Sequence, residues 1–208
     1  MNKYKKVMLI YGGISSEREI SIISSKGIND ALIRNNYEVI KIDANENLES
    51  EIKKYNPDVI FNALHGTWGE DGEVQRIIEL TNVPYTNSGI KASELAMDKH
   101  RSSKKFIDIN MNYPNTILSS LKEIKEQNPM NYPYVLKPRN EGSSVGVGII
   151  KNDDDKKKYL DQNKERDEIL IQKFIEGKEI QVAIYGDNKT GSIEIDPKNE
   201  FYDYESKY

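Results

Sequence analysis

From residue 6 to residue 80 the chain alternates between short apolar runs and segments in which apolar residues recur at helical spacing. The predicted strands are 6–11, 37–42 and 59–64, and the predicted helices are 16–35, 48–55 and 72–80. Strands that alternate with helices in this way form a parallel sheet with right-handed crossovers. We therefore expect an α/β domain whose ligand-binding loops, 12–17 and 65–72, lie at the carboxyl ends of the strands.

The pattern changes after a predicted boundary near 87–98. A helix, a Pro-containing link, a hairpin, a charged helix, a strand and a final strand pair follow. Apart from the link, these elements are predicted at 99–107, 132–150, 153–164, 168–174, 179–185 and 190–195. The change of pattern indicates a second domain.

The composition argues against several classes of site. The 208-residue chain has a formal net charge of −4, so neither nucleic acid nor an anionic membrane surface is expected as a partner. Cysteine is absent, which excludes thiol catalysis and disulfides, and two histidines are too few for a histidine-rich zinc site. No apolar run approaches the ~20 residues that span a bilayer, so we expect a cytoplasmic protein.

The segment 132–148 has the features of a phosphate-binding device. A predicted strand ends at Lys137, and the loop 141–146, with the sequence Glu-Gly-Ser-Ser-Val-Gly, follows. Glycines let backbone N–H groups approach a polyanion, Ser143 and Ser144 add hydroxyl donors, and the lysine adds a positive charge. The spacing differs from a P-loop, in which the lysine follows the glycines. An ordinary Gly/Ser hairpin beside a surface lysine is the alternative, and this segment alone does not separate the two.

Both loops at the expected edge of the parallel sheet carry ionisable side chains. Glu17 follows a Gly-Gly turn that could cradle a phosphate, but the spacing G-x-G-x-x-G is not met and the carboxylate would repel a pyrophosphate. A glutamate at a helix N-terminus is commonly a partner of the helix dipole. His65 opens the second, glycine-rich loop, and on its own it would be interpreted as a structural histidine.

A series of blocks in this chain follows the order found in one enzyme family. The blocks are Gly12-Gly13-x-Ser15-x-Glu17-Arg18-Glu19-x-Ser21, Ala63-Leu64-His65-Gly66-x-x-Gly69-Glu70-Asp71-Gly72, Pro84-Tyr85-Thr86-x-Ser88-Gly89, Met97-Asp98-Lys99, Lys137-Pro138, Glu141-Gly142-Ser143-Ser144-Val145-Gly146 and Phe201-Tyr202-Asp203-Tyr204-Glu205-x-Lys207-Tyr208. Each block is weak alone, but the ordered set is specific. From residue 7 to the last residue it resembles the D-alanine–D-alanine ligases, and the segment 132–148 resembles the nucleotide lid of the ATP-grasp superfamily to which they belong.

The resemblance implies three parts. They are an N-terminal parallel α/β (pre-ATP-grasp) domain at 1–97, a central ATP-grasp lid subdomain at 98–175 and the start of a C-terminal ATP-grasp subdomain at 176–208. By the same resemblance the family continues for about a hundred residues beyond Tyr208. The family's Mg²⁺ ligands lie in that part, so no residue here is assigned to a metal. We therefore expect an incomplete ATP-grasp fold, and we expect that the 208-residue chain alone does not form D-alanyl-D-alanine.

The activity implied by the resemblance is ligation of two D-alanine molecules for peptidoglycan precursor synthesis, with ATP and Mg²⁺ as cofactors and an acylphosphate intermediate. The resemblance implies that Glu17 holds the ammonium of the first D-alanine and that His65 lies near this substrate. Ser143, also at the substrate site, and Tyr208 link Glu17 to the loop that closes over the substrates. Glu17, Ser143 and Tyr208 are therefore the implied catalytic residues. A homodimer is implied as well.

The implied ATP site is larger. Lys99 and Lys137 match the family's phosphate-binding lysines, Ser143 and Ser144 would add donors to the phosphates, and Lys207 would approach the γ-phosphate. The residues implied to contact the nucleoside are Gln172, Lys173 and Ile175 at adenine and Glu179 at ribose. The chain departs from the family at the first of these, where glutamate is frequent, although an amide can also meet the adenine edge.

Two other functions stay open. A D-alanine–D-lactate or D-alanine–D-serine ligase would use the same chemistry, but Tyr208 favours D-alanine because depsipeptide-forming relatives usually differ in this loop. A catalytically silent fragment would bind nucleotide or amino acid without turnover. Turnover with D-alanine separates the silent fragment from the ligases, and the product separates the ligases from each other.

Overall fold

The computed structural model describes residues 4–164 and 166–196. Its contacts divide the chain into two compact units, with the division between Ser102 and Ser103. Each unit has a hydrophobic core of its own. The three-part division with boundaries at 97/98 and 175/176 stays a prediction. Lys207 and Tyr208 lie outside the described residues.

The first unit is built on a parallel sheet. Its strands are β1 (Lys6–Gly12), β2 (Glu38–Ala44) and β3 (Val59–Asn62). They form a three-stranded sheet in the order β2–β1–β3, in which Met8 lies opposite Ile40 on one side and Ile60 on the other. A further parallel bridge joins Ile60 to Tyr85. The parallel α/β fold predicted from the sequence is therefore confirmed.

Helices accompany this sheet, and the second and third of them contribute buried side chains to the first core. They are α1 (Arg18–Arg34), α2 (Leu48–Tyr55), α3 (Glu73–Glu79), α4 (Ile90–Met97) and α5 (Lys99–Asp108), the last of which crosses the division between the units. The buried side chains of this core are Met8, Ile10, Ala44, Leu48, Ile52, Ile60, Leu64, Val74 and Ile78. Four consecutive residues of the central strand, 7–10, are buried, because a parallel strand between two neighbours is covered on both faces. That burial is why the strand appears in the sequence as an unbroken apolar run.

The second unit contains an antiparallel sheet and a separate hairpin. The sheet strands are β4 (Thr116–Ser119), β5 (Tyr134–Pro138), β6 (Gly148–Ile150) and β7 (Ile169–Lys173), in the order β4–β7–β5–β6. The hairpin strands are β8 (Glu179–Tyr185) and β9 (Asn188–Ile195). Helices α6 (Leu121–Glu126) and α7 (Asp153–Gln162) complete the unit. The predicted hairpin at 132–150 is confirmed as β5 and β6, which pair antiparallel.

The alternation of β5 decides which way Lys137 faces. Tyr134, Leu136 and Pro138 are buried, whereas Val135 and Lys137 are half-buried. Successive side chains of a strand point to opposite faces, so Lys137 lies on the face opposite Leu136 and the core. The core itself consists of Ile124, Tyr134, Leu136, Ile150, Tyr159, Ile169 and Ile171.

Helix α6 begins with a capping box. The Ser120 side chain accepts a hydrogen bond from the Glu123 N–H at 3.2 Å, and the Glu123 carboxylate accepts one from the Ser120 N–H at 3.0 Å. We expect Ser120→Ala to lower the free energy of unfolding by about 1 kcal/mol, because a helix-terminal N–H loses its acceptor. Hydrogen exchange of the β5 and β7 amides measures this loss in the second unit. The exposed Lys125→Ala serves as the control, and equal stabilities of the two variants would contradict the capping role.

Candidate active site

A polar cluster surrounds Glu17 at the carboxyl edge of the parallel sheet. The Glu17 side chain is buried, with the residue 5% exposed. Ser15 Oγ donates to the His65 carbonyl oxygen at 2.7 Å and accepts from the Glu17 N–H at 3.1 Å. Gly66 has a φ of +71°, and a Cβ at this position would lie 2.6 Å from a Glu17 carboxylate oxygen. The two loops predicted to carry ligands are thus joined, and a glycine makes room for the carboxylate between them.

The start of α1 is tied to the sheet by a buried serine. Ser21 Oγ accepts from the Gly12 N–H at 2.8 Å and donates to the Ala63 carbonyl oxygen at 2.6 Å. Ser21 is completely buried, so these bonds are shielded from water. They fix the start of the helix, and with it Glu17, against the ends of β1 and β3.

Arg18 forms an ion pair with Asp43 at the end of β2. The guanidinium makes two hydrogen bonds to the Asp43 carboxylate, at 2.7 and 2.5 Å, and a third to the Gly13 carbonyl oxygen at 3.0 Å. The hydrogen bonds from Arg18 lower the pKa of Asp43, against the opposing effect of burial. This pair holds the Gly-Gly turn to the neighbouring strand.

His65 lies between a helix and its own loop. Its Nε2 is 3.0 Å from Ser24 Oγ of α1, and its Nδ1 is 3.7 Å from a Glu70 carboxylate oxygen. The second Glu70 oxygen accepts from the Gly66 N–H at 2.9 Å. Contact with Glu70 is the main cause that raises the pKa of His65, and burial opposes it. Burial alone would raise the pKa of Glu70, but His65 and the Gly66 N–H together outweigh it and lower that pKa.

In the second unit, Lys137 is held by an uncharged partner. Lys137 Nζ donates to Gln172 Oε1 at 2.7 Å, and Gln172 Nε2 donates to Thr116 Oγ1 at 3.2 Å. Gln172 is only 6% exposed. Burial lowers the pKa of Lys137, and the negative charge of Glu179 opposes that shift. Because an amide carries no charge, Gln172 orients the lysine without neutralising it.

The Gly/Ser loop after β5 adopts consecutive left-handed turns. Ser143, Ser144 and Gly146 have φ values of +47°, +59° and +66°. A Cβ at Gly146 would lie 2.7 Å from the Pro138 ring, and the Gly146 carbonyl oxygen accepts from the Tyr159 hydroxyl at 2.8 Å. Two ion pairs tie the loop to the chain before β7: Arg139–Glu168 and Glu141–Arg166. Left-handed residues turn backbone N–H groups toward one side, as anion-binding loops do.

Among the other described residues of the predicted ATP site, Lys99, Lys173 and Glu179 lie at the ends of elements, and Ile175 lies between two strands. Lys99 is the first residue of α5, whose start is capped by the Asp98 carboxylate, which accepts from the N–H groups of the second and third helical residues. Lys173 ends β7, Ile175 is 61% exposed, and Glu179 begins β8. In the second unit Lys137 is bonded to Gln172, and the negative charge of Glu179 acts on Lys137.

Several residues of these clusters were not predicted to belong to the site. They are Ser15, Ser24, Glu70 and Thr116. A signal for Ser24 exists in the sequence, because Glu17, Ser21 and Ser24 are spaced i, i+4 and i+7 and so share one helix face. Thr116 has no such local signal.

Residues 4–164 and 166–196 contain no group of three His, Asp or Glu side chains that could hold a metal ion. In the same part of the chain, no helix has the length and apolar character needed to cross a membrane.

The chain matches two protein-family models. These are the D-ala D-ala ligase N-terminus, at residues 42–88, and the D-ala D-ala ligase C-terminus, at residues 110–208. A D-alanine–D-alanine ligase of Pelagibacter ubique is 45% identical, in an alignment that covers 98% of this chain and 69% of the relative. One of Rickettsia bellii is 42% identical, covering 98% and 64%.

Solved structures agree with these matches. The crystal structure of D-alanine–D-alanine ligase from Bacillus anthracis has a TM-score of 0.83 at 33% identity, covering 97% of this chain and 68% of that one. Its complex with ATP has a TM-score of 0.79 at 31% identity, covering 98% and 67%. The chain thus spans about two thirds of the length of its relatives. The fold, the two family models and the sequence identity together show that this chain belongs to the D-alanine–D-alanine ligase family.

Proposed function

We propose that the protein joins two D-alanine molecules into D-alanyl-D-alanine and uses ATP to do so. One observation carries the amino-acid side of this proposal: a carboxylate, Glu17, is buried at the carboxyl edge of the parallel sheet. Its negative charge suits the ammonium of an amino acid and not a phosphate. Open α/β sheets bind ligands at this edge, and His65 borders the same loops.

The second unit supports the ATP side of the proposal. Lys137 Nζ donates to the neutral amide of Gln172, and the left-handed turns at Ser143 and Ser144 lie in the loop that follows. A lysine ammonium group and the backbone N–H groups of such turns are donors that suit a polyphosphate. The relative from Bacillus anthracis was solved in complex with ATP, and its fold matches this chain. We assign Lys99 and Lys207 to the phosphates as well.

The nucleoside of ATP would lie against β7 and the start of β8. We assign Gln172, Lys173 and Ile175 to adenine and Glu179 to ribose. The amide of Gln172 is already bonded on both sides, to Lys137 and to Thr116, so adenine would meet main-chain groups of Lys173 and Ile175. The Gln172 side chain would therefore contribute less to adenine binding than the sequence alone suggested.

The reaction proceeds in two steps. A carboxylate oxygen of the first D-alanine forms a bond to the γ-phosphorus of ATP, and ADP leaves. The amine of the second D-alanine then attacks the acyl carbon, phosphate leaves, and the nitrogen loses a proton. Positioned lysines stabilise the charge that spreads over the phosphoryl oxygens, while Glu17 holds the first substrate by its ammonium. Ser143 and Tyr208 would connect Glu17 to the loop that closes the site.

Three further assignments rest on the family alone. We propose that Mg²⁺ accompanies ATP, that the protein is a cytoplasmic homodimer, and that its product enters peptidoglycan synthesis. A divalent cation would offset the phosphate charge. We assign no role toward the metal to the described residues, which contain no cluster of ligating side chains.

The test is phosphate release from ATP by this chain extended to the length of its relatives, called the full-length enzyme below, with Mg²⁺ and in the presence and absence of D-alanine. We expect release that depends on D-alanine, with D-alanyl-D-alanine identified by mass spectrometry. Parallel reactions with D-alanine plus D-lactate or D-serine examine the related ligases. Nucleotide binding without D-alanine-dependent turnover would contradict the proposal and favour a silent protein, and a predominant mixed product would favour one of the variants.

A further inference from the structure

Both ring nitrogens of His65 face oxygen atoms. Nε2 is 3.0 Å from the Ser24 hydroxyl, and Nδ1 is 3.7 Å from the Glu70 carboxylate. A neutral imidazole carries one N–H and one lone pair, whereas the cation carries two N–H groups. The protonation state of His65 therefore depends on whether each of these oxygen atoms donates or accepts.

The Ser24 hydroxyl already donates its proton to a backbone carbonyl oxygen. Ser24 Oγ donates to the Ile20 carbonyl oxygen at 2.5 Å. A carbonyl oxygen can only accept, and a serine hydroxyl has a single proton. Toward His65 the hydroxyl must therefore act as the acceptor, so Nε2 carries a hydrogen.

The Glu70 carboxylate favours a hydrogen on Nδ1 as well. With Nε2 protonated, a neutral ring would direct the Nδ1 lone pair at a carboxylate, which is repulsive. Protonation of Nδ1 converts this contact into an ion pair. Glu70 is held in place for it, since its other oxygen accepts from the Gly66 N–H at 2.9 Å. The charged groups that face the ring are Glu70, from its own loop, and Glu17, from the segment before α1, and both are negative.

We propose that Ser24 and Glu70 are positioning residues that hold His65 as an imidazolium at the amino-acid site. The site then presents a negative group, Glu17, and a positive group, His65, and a free amino acid at neutral pH carries both charges. The cation would attract the carboxylate of a D-alanine. This last step rests on the function proposed above, whereas the charge of His65 does not depend on it.

The pH dependence follows from the sign of the shift. The pKa of His65 is raised above its ordinary value of 6.5, chiefly by Glu70. The cation therefore persists above pH 6.5 and is lost as the pH rises through the raised pKa. The partner carboxylate is lost only when the pH falls through the lowered pKa of Glu70, below 4.5. The ion pair is complete between these two pKa values.

The chain is well suited to a direct measurement, because it has two histidines, His65 and His100. An NMR titration of the ring protons gives both pKa values, and His100→Asn assigns the signals. Long-range ¹H–¹⁵N correlations report the protonation of Nδ1 and Nε2 separately. We expect His65 to titrate above 6.5 with hydrogen on both nitrogens below its pKa, and we expect Glu70→Gln and Ser24→Ala each to lower that pKa.

Glu73→Gln is the matched control, since Glu73 lies nearby in sequence but pairs with Arg76. It should leave the His65 titration unchanged. A wild-type pKa at or below 6.5, or one that Glu70→Gln does not lower, would overturn the proposed charge. Equal effects of Glu70→Gln and Glu73→Gln on the pKa of His65 would show that Glu70 has no specific role, and they would also contradict the proposal.

The role toward substrate is tested in the full-length enzyme by the KM for D-alanine as a function of pH. In the wild type we expect this KM to rise as His65 loses its proton, and in Glu70→Gln the rise should begin at lower pH while the KM for ATP stays unchanged. If the two pH profiles coincide although the NMR shift is observed, the substrate role is wrong. An enzyme without D-alanine-dependent turnover would contradict the proposed function and leave the NMR result standing.

Discussion

Replacing Lys137 with alanine should weaken ATP binding at least tenfold and leave the fold intact. A charge-assisted hydrogen bond to phosphate contributes roughly 1.5–3 kcal/mol, and about 1.4 kcal/mol corresponds to a factor of ten in the dissociation constant. Lys137 lies on the face of β5 opposite the core, so its truncation removes no core contact. Its hydrogen-bond partner Gln172 retains the bond to Thr116, which limits the structural damage.

Isothermal titration calorimetry with ATP measures the effect, and circular dichroism verifies the fold. Lys157→Ala on the exposed face of α7 is the control, because it removes the same charge from the same unit at a distance from the loop in sequence. An unchanged dissociation constant for Lys137→Ala, or an equal loss in both variants, would remove the assignment of Lys137 to phosphate.

Glu17→Gln should raise the KM for D-alanine about tenfold or more, with the KM for ATP nearly unchanged. The substitution keeps the shape of the side chain but removes the charge, so an ammonium loses roughly 1.5–3 kcal/mol of charge-assisted hydrogen bonding. The isosteric amide preserves the fit between Glu17 and Gly66, where a larger group on either side would collide. Selective loss on the amino-acid side distinguishes this role from a structural one.

Steady-state kinetics of the full-length enzyme, with each substrate varied in turn, provide the measurement. Glu19→Gln is the matched control, since Glu19 is an exposed carboxylate in the first turn of the same helix. If the constant for ATP changes and the one for D-alanine does not, the two sites have been assigned to the wrong loops.

The elements that the sequence pattern missed are short. Strand β4 has four residues and helix α6 has six, so neither shows enough periods of its apolar pattern to be distinguished from a Pro-containing link. Helix α4 lies in the segment interpreted as a domain boundary. In contrast, β1 and α2 were predicted to within one residue, because a central strand and an amphipathic helix repeat their patterns over a full element.

The parallel α/β unit, the hairpin around the Gly/Ser loop and the family could all be predicted from the amino-acid sequence. Hydrophobic periodicity and the order of motifs are properties of the linear chain, so they can be recognised in the sequence alone. The immediate surroundings of the predicted site residues were decided by the tertiary structure. Lys137, Gln172 and Thr116 come from three strands and meet across separations of 35 and 56 residues. Likewise, His65 acquires its two oxygen neighbours only when α1 packs beside its loop, because hydrogen-bond partners depend on distance in space and not along the chain.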